Sequence, residues 1–133
     1  MVTAKATDNV TLIKRGFEAF NKADVKTLSE LIATDCVQHV AGNNRFSGDH
    51  KGRDNILAMY GEMGELTEGT MQAQLTDVYA TDHGVVALYT AKATRKGKSL
   101  NDKFALVFQL VDGKAIDIDD VPLNGQINDA FWA

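Results

Sequence analysis

The sequence holds one cysteine, Cys36, and one proline, Pro122, among its 133 residues. A lone thiol closes no internal disulfide, so the fold has to rest on its apolar core. The residue usage suits a reducing compartment, here the cytoplasm. Positive charge is also scarce: 14 Lys and Arg stand against 18 Asp and Glu, for a formal charge of −4, and the basic residues are scattered. That excludes the basic patch of a nucleic-acid binder or of a protein drawn to an anionic membrane. No stretch approaches the roughly 18 apolar residues of a transmembrane helix. Met1-Val2-Thr3-Ala4-Lys5-Ala6 lacks the apolar stretch of a secretory signal. No internal repeat, linker or low-complexity segment is visible. The histidines His39, His50 and His83 show no short ligand spacing and no cysteine pair accompanies them, so neither a metal nor another cofactor is expected. Gly48 and Gly52 are not followed by Gly-Lys-Ser/Thr and form no phosphate cradle.

What is present is 44% apolar and 24% charged residues, the balance of a folded globular chain. At this length one domain is expected, placed at residues 7–133 behind a short flexible tail of residues 1–6. Asp8 is a good cap for a first helix, and Val10, Ile13, Phe17 and Phe20 repeat at helical spacing on one face. Asp24 caps a shorter helix with Val25, Leu28, Leu31 and Ile32 inward. Cys36 to Val40 reads as a short strand and Gly42 to Gly52 as a loop. A third helix runs from about Asp54 to Leu66, burying Ile56, Leu57, Tyr60 and Met63.

The second half changes period. Met71–Ala80, Val85–Thr94, Leu100–Val111 and Ala115–Val121 read as strands, with Leu100, Asp102, Phe104, Leu106, Phe108 and Leu110 on one side of a strict alternation. Asp82-His83-Gly84, Lys96-Gly97-Lys98 and Asp112-Gly113 separate them, and Asp-Gly between apolar runs is a hairpin signal because both residues tolerate positive φ. Helices followed by a meander indicate an α+β fold, with helices laid on one face of a curved antiparallel sheet.

This order resembles the NTF2-like superfamily, and within it the SnoaL-like proteins, which include polyketide cyclases and relatives of ketosteroid isomerase. Four segments carry the resemblance: Val37-Gln38-His39-Val40-Ala41-Gly42 after the second helix, Gly48 to Leu57 leading into the third, Val107 to Lys114 in the final hairpin, and Phe131-Trp132 at the aromatic end. It covers about residues 8–133. It implies a cone of three helices on a strongly curved, mostly antiparallel sheet enclosing one pocket, and a homodimer formed through the outer sheet face. Val107 and Val111, with Ala91 and Ala93, are expected on that face. Ketosteroid isomerases use a carboxylate base with a tyrosine and a protonated acid. Those three positions fall on His39, Gly16 and Leu106, so the standard steroid isomerase apparatus is not expected here.

Two residues are candidates for chemistry. His39 shares a strand face with Val37, and the apolar Val37 turns that face inward. An imidazole near an apolar cavity is either an acid or base near neutral pH or a core histidine bonded to backbone. Asp120 faces inward if Ile116 and Ile118 do, where a buried carboxylate is costly unless paired or protonated; otherwise it is solvated at the strand end. Phe17, Phe20, Tyr60, Met63, Tyr89, Phe108 and Trp132 are the candidate pocket walls. The leading reading is a small-molecule pocket protein doing cofactor-free acid–base chemistry on an apolar substrate: isomerisation, cyclisation, dehydration or hydrolysis. The alternative is a non-catalytic ligand-binding or protein-interaction module.

Overall fold

A computed structural model describes residues 3–133. Thr3 opens the first helix, its hydroxyl accepting from the amide of Ala6, and α1 runs Ala4–Asn21. The helix therefore starts four residues ahead of Asp8. Ala4, Lys5 and Ala6 are helical instead of belonging to a tail, while Met1 and Val2 lie outside the described residues. Ala23, at φ 54°, turns the chain, and Asp24 caps α2 (Val25–Leu31) by accepting from the Thr27 amide. Only part of the expected face of α2 is inward: Leu28 is buried, Val25 is exposed, and Ile32 already opens a strand.

The remaining elements are β1 (Ile32–Val40), β2 (Gly48–Lys51), α3 (Arg53–Leu66), β3 (Gln72–Ala80), β4 (Gly84–Arg95), β5 (Lys98–Val111), β6 (Lys114–Pro122) and α4 (Gly125–Trp132). Four helices thus accompany six strands, one helix more than expected, and β2 replaces part of the expected loop. The fold class is the α+β arrangement that the sequence implied. The strands form one open sheet in the order β2-β1-β6-β5-β4-β3. All neighbours are antiparallel except β1 and β6. The β4–β5 and β5–β6 hairpins turn on Lys96-Gly97 and Asp112-Gly113, all four residues at positive φ, as the right-handed strand twist favours in two-residue loops.

Curvature comes from interruptions of the ladder. Register shifts occur between Leu75 and Asp77 and between Gln109 and Leu110. Opposite the second, Ile116 is skipped, since Gln109 pairs with Asp117 and Leu110 with Ala115. A residue inserted into one strand bends it and sharpens the twist. The bulge also separates the two isoleucines, so that Ile118 is buried and Ile116 exposed.

The concave face carries the core. On β4 the buried set is Val85, Ala87, Tyr89, Ala91, Ala93 and Arg95, one face of a period-two strand. Ala91 and Ala93 are consequently inner residues, not members of the outer face. Helices α1, α2 and α3 cover the concavity. At its end, α4 buries Phe131 and Trp132, with Trp132 set edge-on to Phe46 at 4.8 Å between centroids. Arg95 and Lys98 hold the last turn of α4. The Arg95 Nη1 donates to the carbonyls of Phe131 and Ala133, and the Lys98 Nζ to those of Ala130 and Ala133. These are the orphan carbonyls of a helix C-terminus, and cations suit them. No helix among the described residues is long and apolar enough to cross a membrane.

Two glycines give opposite expectations. A Cβ on Gly84 would lie 2.5 Å from the Phe108 carbonyl oxygen, whereas one on Gly61, mid-helix in α3, meets nothing within 4 Å. Urea unfolding should show Gly84→Ala destabilised by ~1–3 kcal/mol and Gly61→Ala stabilised by about 0.5–1 kcal/mol. A neutral Gly84→Ala would contradict the β4–β5 register.

Candidate active site

The concave face and the helices enclose a cavity of about 120 Å³. Phe17 and Phe20 from α1, Tyr60 and Met63 from α3, Tyr89 from β4, Phe108 from β5 and Trp132 from α4 all line it. All seven expected wall residues therefore reach the same space. Gly16 and Leu106 line it too, and neither side chain offers a hydrogen bond. An apolar cavity of ~150 Å³ accepts a benzene-sized guest, so this one is on the scale of a single ring.

Asp120 is the only charged residue in that lining among the described residues. It is Cα partner to Leu106 on β5 and to Val40 on β1. Its Oδ2 accepts from Nε2 of Gln38 at 3.4 Å and its Oδ1 from the hydroxyl of Tyr89 at 3.4 Å. Both bonds are long, so they offset little of the cost of removing a carboxylate from water. Burial accordingly dominates and pushes the Asp120 carboxyl up to about 6. The two phenols nearby are raised as well, first by burial and then by the charge of Asp120. Both are neutral donors at any physiological pH.

Gln38 completes the cluster. It is 1% exposed, and its Oε1 accepts from the Tyr60 hydroxyl at 2.5 Å. The sequence reading missed it, although Cys36, Gln38 and Val40 share one face and two of those three are apolar. That count was the available signal. Cys36 lies on the same face, and burial pushes its thiol up to about 11, which makes it inert.

His39 is placed differently from expectation. With Cys36 and Gln38 inward, Val37 and His39 turn outward, so His39 does not share the cavity of Asp120. Val37 misled because one apolar residue on a five-residue strand does not fix its facing. Outside, His39 is bracketed by carboxylates. Its Nδ1 lies 2.7 Å from Oδ1 of Asp49 on β2, and its Nε2 lies 2.9 Å from Oδ1 of Asp117 on β6. These hydrogen bonds raise the imidazole to about 9. His39, Asp117 and Asp119 bring ligand atoms within 4.8 Å of one another. Both ring nitrogens are nevertheless engaged by carboxylates, and each must donate, so the imidazolium fills the place a cation would take. His50 bonds the Phe46 carbonyl through Nε2 at 2.7 Å, and His83 is exposed.

The pattern of a SnoaL-like domain matches residues 13–118. The chain belongs to the SnoaL-like domain family. An uncharacterised protein of Mycobacterium tuberculosis is 31% identical over 126 residues, covering 94% of this chain and 96% of that protein. Among solved structures, Bal32a, from a soil-derived mobile gene cassette, is 36% identical, with a TM-score of 0.94 over 97% of this chain and 99% of its own. IdmH, a candidate polyketide cyclase from Streptomyces antibioticus, shares the fold at 22% identity and a TM-score of 0.75, over 87% of this chain and 92% of its own.

The outward His39 has a signed consequence. Its folded-state pKa lies above the ordinary 6.5. Its pairing therefore contributes stability that is fully present below about pH 6.5 and lost as the pH rises through about 9. An NMR titration of the ring should give a midpoint near 9, lowered in Asp49→Asn and unmoved in Asp120→Asn. Coupling to Asp120 would show that β1 faces the other way.

Proposed function

We propose that this SnoaL-like protein is a cofactor-free acid–base enzyme acting on an apolar carbonyl compound, with Asp120 as its proton carrier. One observation carries the reading: a single carboxylate, raised to about 6, at the wall of an otherwise apolar, ring-sized cavity. A group titrating there is ionised at neutral pH, yet basic enough to hold a proton in transit. The step is abstraction of a proton from a carbon next to a carbonyl. The C–H electron pair becomes an enolate and the proton rests on Asp120. Its return to another atom gives isomerisation, and attack of the enolate on a second carbonyl gives an aldol-type cyclisation. The likeness in fold to IdmH supports the cyclase direction, and the cavity size limits the reacting part to about one ring. His39 has no part in this chemistry.

The outer sheet face supports a homodimer, though through residues other than Ala91 and Ala93. Tyr79, Val86 and Val107 lie side by side across β3, β4 and β5, and Leu88, Ala105 and Val121 form a parallel row across β4, β5 and β6. Tyr79, Val86, Leu88, Val107 and Val121 are all exposed, a contiguous apolar patch of the kind that marks an interface. Sedimentation should show a dimer at micromolar concentration and a monomer for Val107→Glu. A wild-type monomer would remove this part of the reading. The single thiol, buried at Cys36, suits the cytoplasm.

The activity test is hydrogen–deuterium exchange at the α-carbon of a panel of cyclic ketones and β-dicarbonyls in D₂O, followed by NMR. Wild type should accelerate exchange on at least one member, and Asp120→Asn should lose ~100-fold or more of that rate. The same substitution should not destabilise the fold. A carboxyl whose folded pKa is raised opposes folding above its unfolded value of about 4, so the melting temperature at pH 8 should equal or exceed that of wild type. Binding of the panel without exchange would favour the non-catalytic ligand-binding module.

A further inference from the structure

Gln38 is a buried carboxamide, and a carboxamide can present either its oxygen or its NH₂ to a given neighbour. Its two neighbours remove the ambiguity. An ionised Asp120 needs a donor, so Nε2 faces Oδ2. Oε1 then faces Tyr60 and takes its hydroxyl hydrogen. Turning the amide over would set Oε1 against the carboxylate and leave the Tyr60 hydrogen without an acceptor in an apolar cavity, both costly when buried. The amide is held from the side away from Asp120.

The consequence falls on the proton. Oδ2 keeps a second lone pair, but the group beside it, the Gln38 NH₂, can only donate, so a hydrogen placed there gains no acceptor. A proton that arrives at Asp120 settles on Oδ1, the oxygen facing the Tyr89 hydroxyl. Tyr89 cannot yield by moving its ring, which lies edge-on to Phe17 at 5.3 Å and stacked on Phe104 at 5.4 Å between centroids. Only its hydroxyl hydrogen turns. It leaves Oδ1, where its oxygen now accepts, and points into the cavity.

We propose that the Tyr60–Gln38 pair is a positioning device that confines the transferred proton to Oδ1 of Asp120 and so turns Tyr89 from a donor to Asp120 into a donor to the ligand's oxyanion. The inference rests on Asp120 being the proton carrier. The balance is closed: the C–H bond breaks, its electron pair becomes the enolate, the proton bonds to Oδ1, and the negative charge passes from the carboxylate to the ligand oxygen that Tyr89 meets. The substrate class is narrowed to compounds whose carbonyl oxygen and acidic carbon both lie within reach of neighbouring groups on β4 and β6. The titratable groups facing Asp120 are Tyr60 from α3 and Tyr89 from β4. Phe17 from α1 and Leu106 and Phe108 from β5 bring no charge.

Two measurements test this without turnover. In the first, the Asp120 carboxyl is titrated by carbon NMR in protein labelled at the aspartate carboxyls, with its signal identified by its loss in Asp120→Asn. Tyr60→Phe removes no hydrogen bond to Asp120 but frees the amide to turn over. The midpoint should rise by about half a unit or more, the equivalent of one net hydrogen bond. The rise should vanish when Gln38→Leu is already present. An unmoved midpoint in Tyr60→Phe would overturn the positioning role, since a merely structural tyrosine leaves Asp120 alone. In the second, 4-nitrophenolate serves as a ring-sized oxyanion and its binding is followed by absorbance at pH 8. In Asp120→Asn the Gln38 NH₂ demands the amide oxygen at Oδ2, which places the new NH₂ at Oδ1 and mimics the protonated state. That variant should bind the anion about tenfold or more tightly than wild type, and adding Tyr89→Phe should abolish the gain. An equal gain without the Tyr89 hydroxyl would overturn its assignment as donor. Neither readout needs a substrate. Absent deuterium exchange with both results intact would therefore sink the enzyme reading and leave the proton placement standing.

Discussion

The parallel pairing of β1 with β6 decides which side chains meet water and which meet each other. It sets Val40 beside Asp120 and His39 beside Asp119, so the pleat sends Gln38 and Asp120 to the concave face and His39 and Asp117 to the convex one. A one-residue step in β1 would turn His39 inward, and one in β6 would turn Asp120 outward. A buried carboxylate would become a solvated one, and an imidazolium held by two carboxylates would enter an apolar cavity. The charge of the cavity follows from that facing.

The cavity carboxylate is tolerated because its surroundings supply a little polarity and no more. Two long hydrogen bonds keep Asp120 from being an orphan, while the apolar wall keeps it basic. Shorter bonds from Gln38 and Tyr89 would stabilise the anion and lower its pKa toward the ordinary range. The fold thus gives up some stability at neutral pH to keep a carboxyl of raised pKa at the cavity wall.

The legible parts of the molecule were those with sustained periods. Ile13 and Phe17 on α1 and the run from Leu100 to Leu110 on β5 repeat over several turns or pleats, and tertiary packing only confirms such patterns. The illegible parts were short or interrupted. β1 carries both apolar and polar residues on each face near Val37. β2 is Gly48-Asp49-His50-Lys51, a polar edge strand with no apolar alternation to announce it. Ile116 sits in a bulge that no local residue type signals. α4 is eight residues long and owes its place to Asn124, which caps it, and to clamps from Arg95 and Lys98 that lie some thirty positions away in sequence. Asp120 was readable because Ile118, two residues before it, does face the core. Gln38 had only the face count to mark it, and glutamine is rarely assigned to an interior before its partners are known.

The bracketed imidazolium on the convex face also changes what unfolding does to the solvent. The formal charge of −4 counts every histidine as neutral, but folded His39, raised to about 9, keeps its proton at neutral pH. The unfolded chain, with an ordinary imidazole, gives most of that proton up. Unfolding this protein slightly above neutrality is therefore an acid-producing reaction, and the heat absorbed when it melts depends on which buffer takes up the proton.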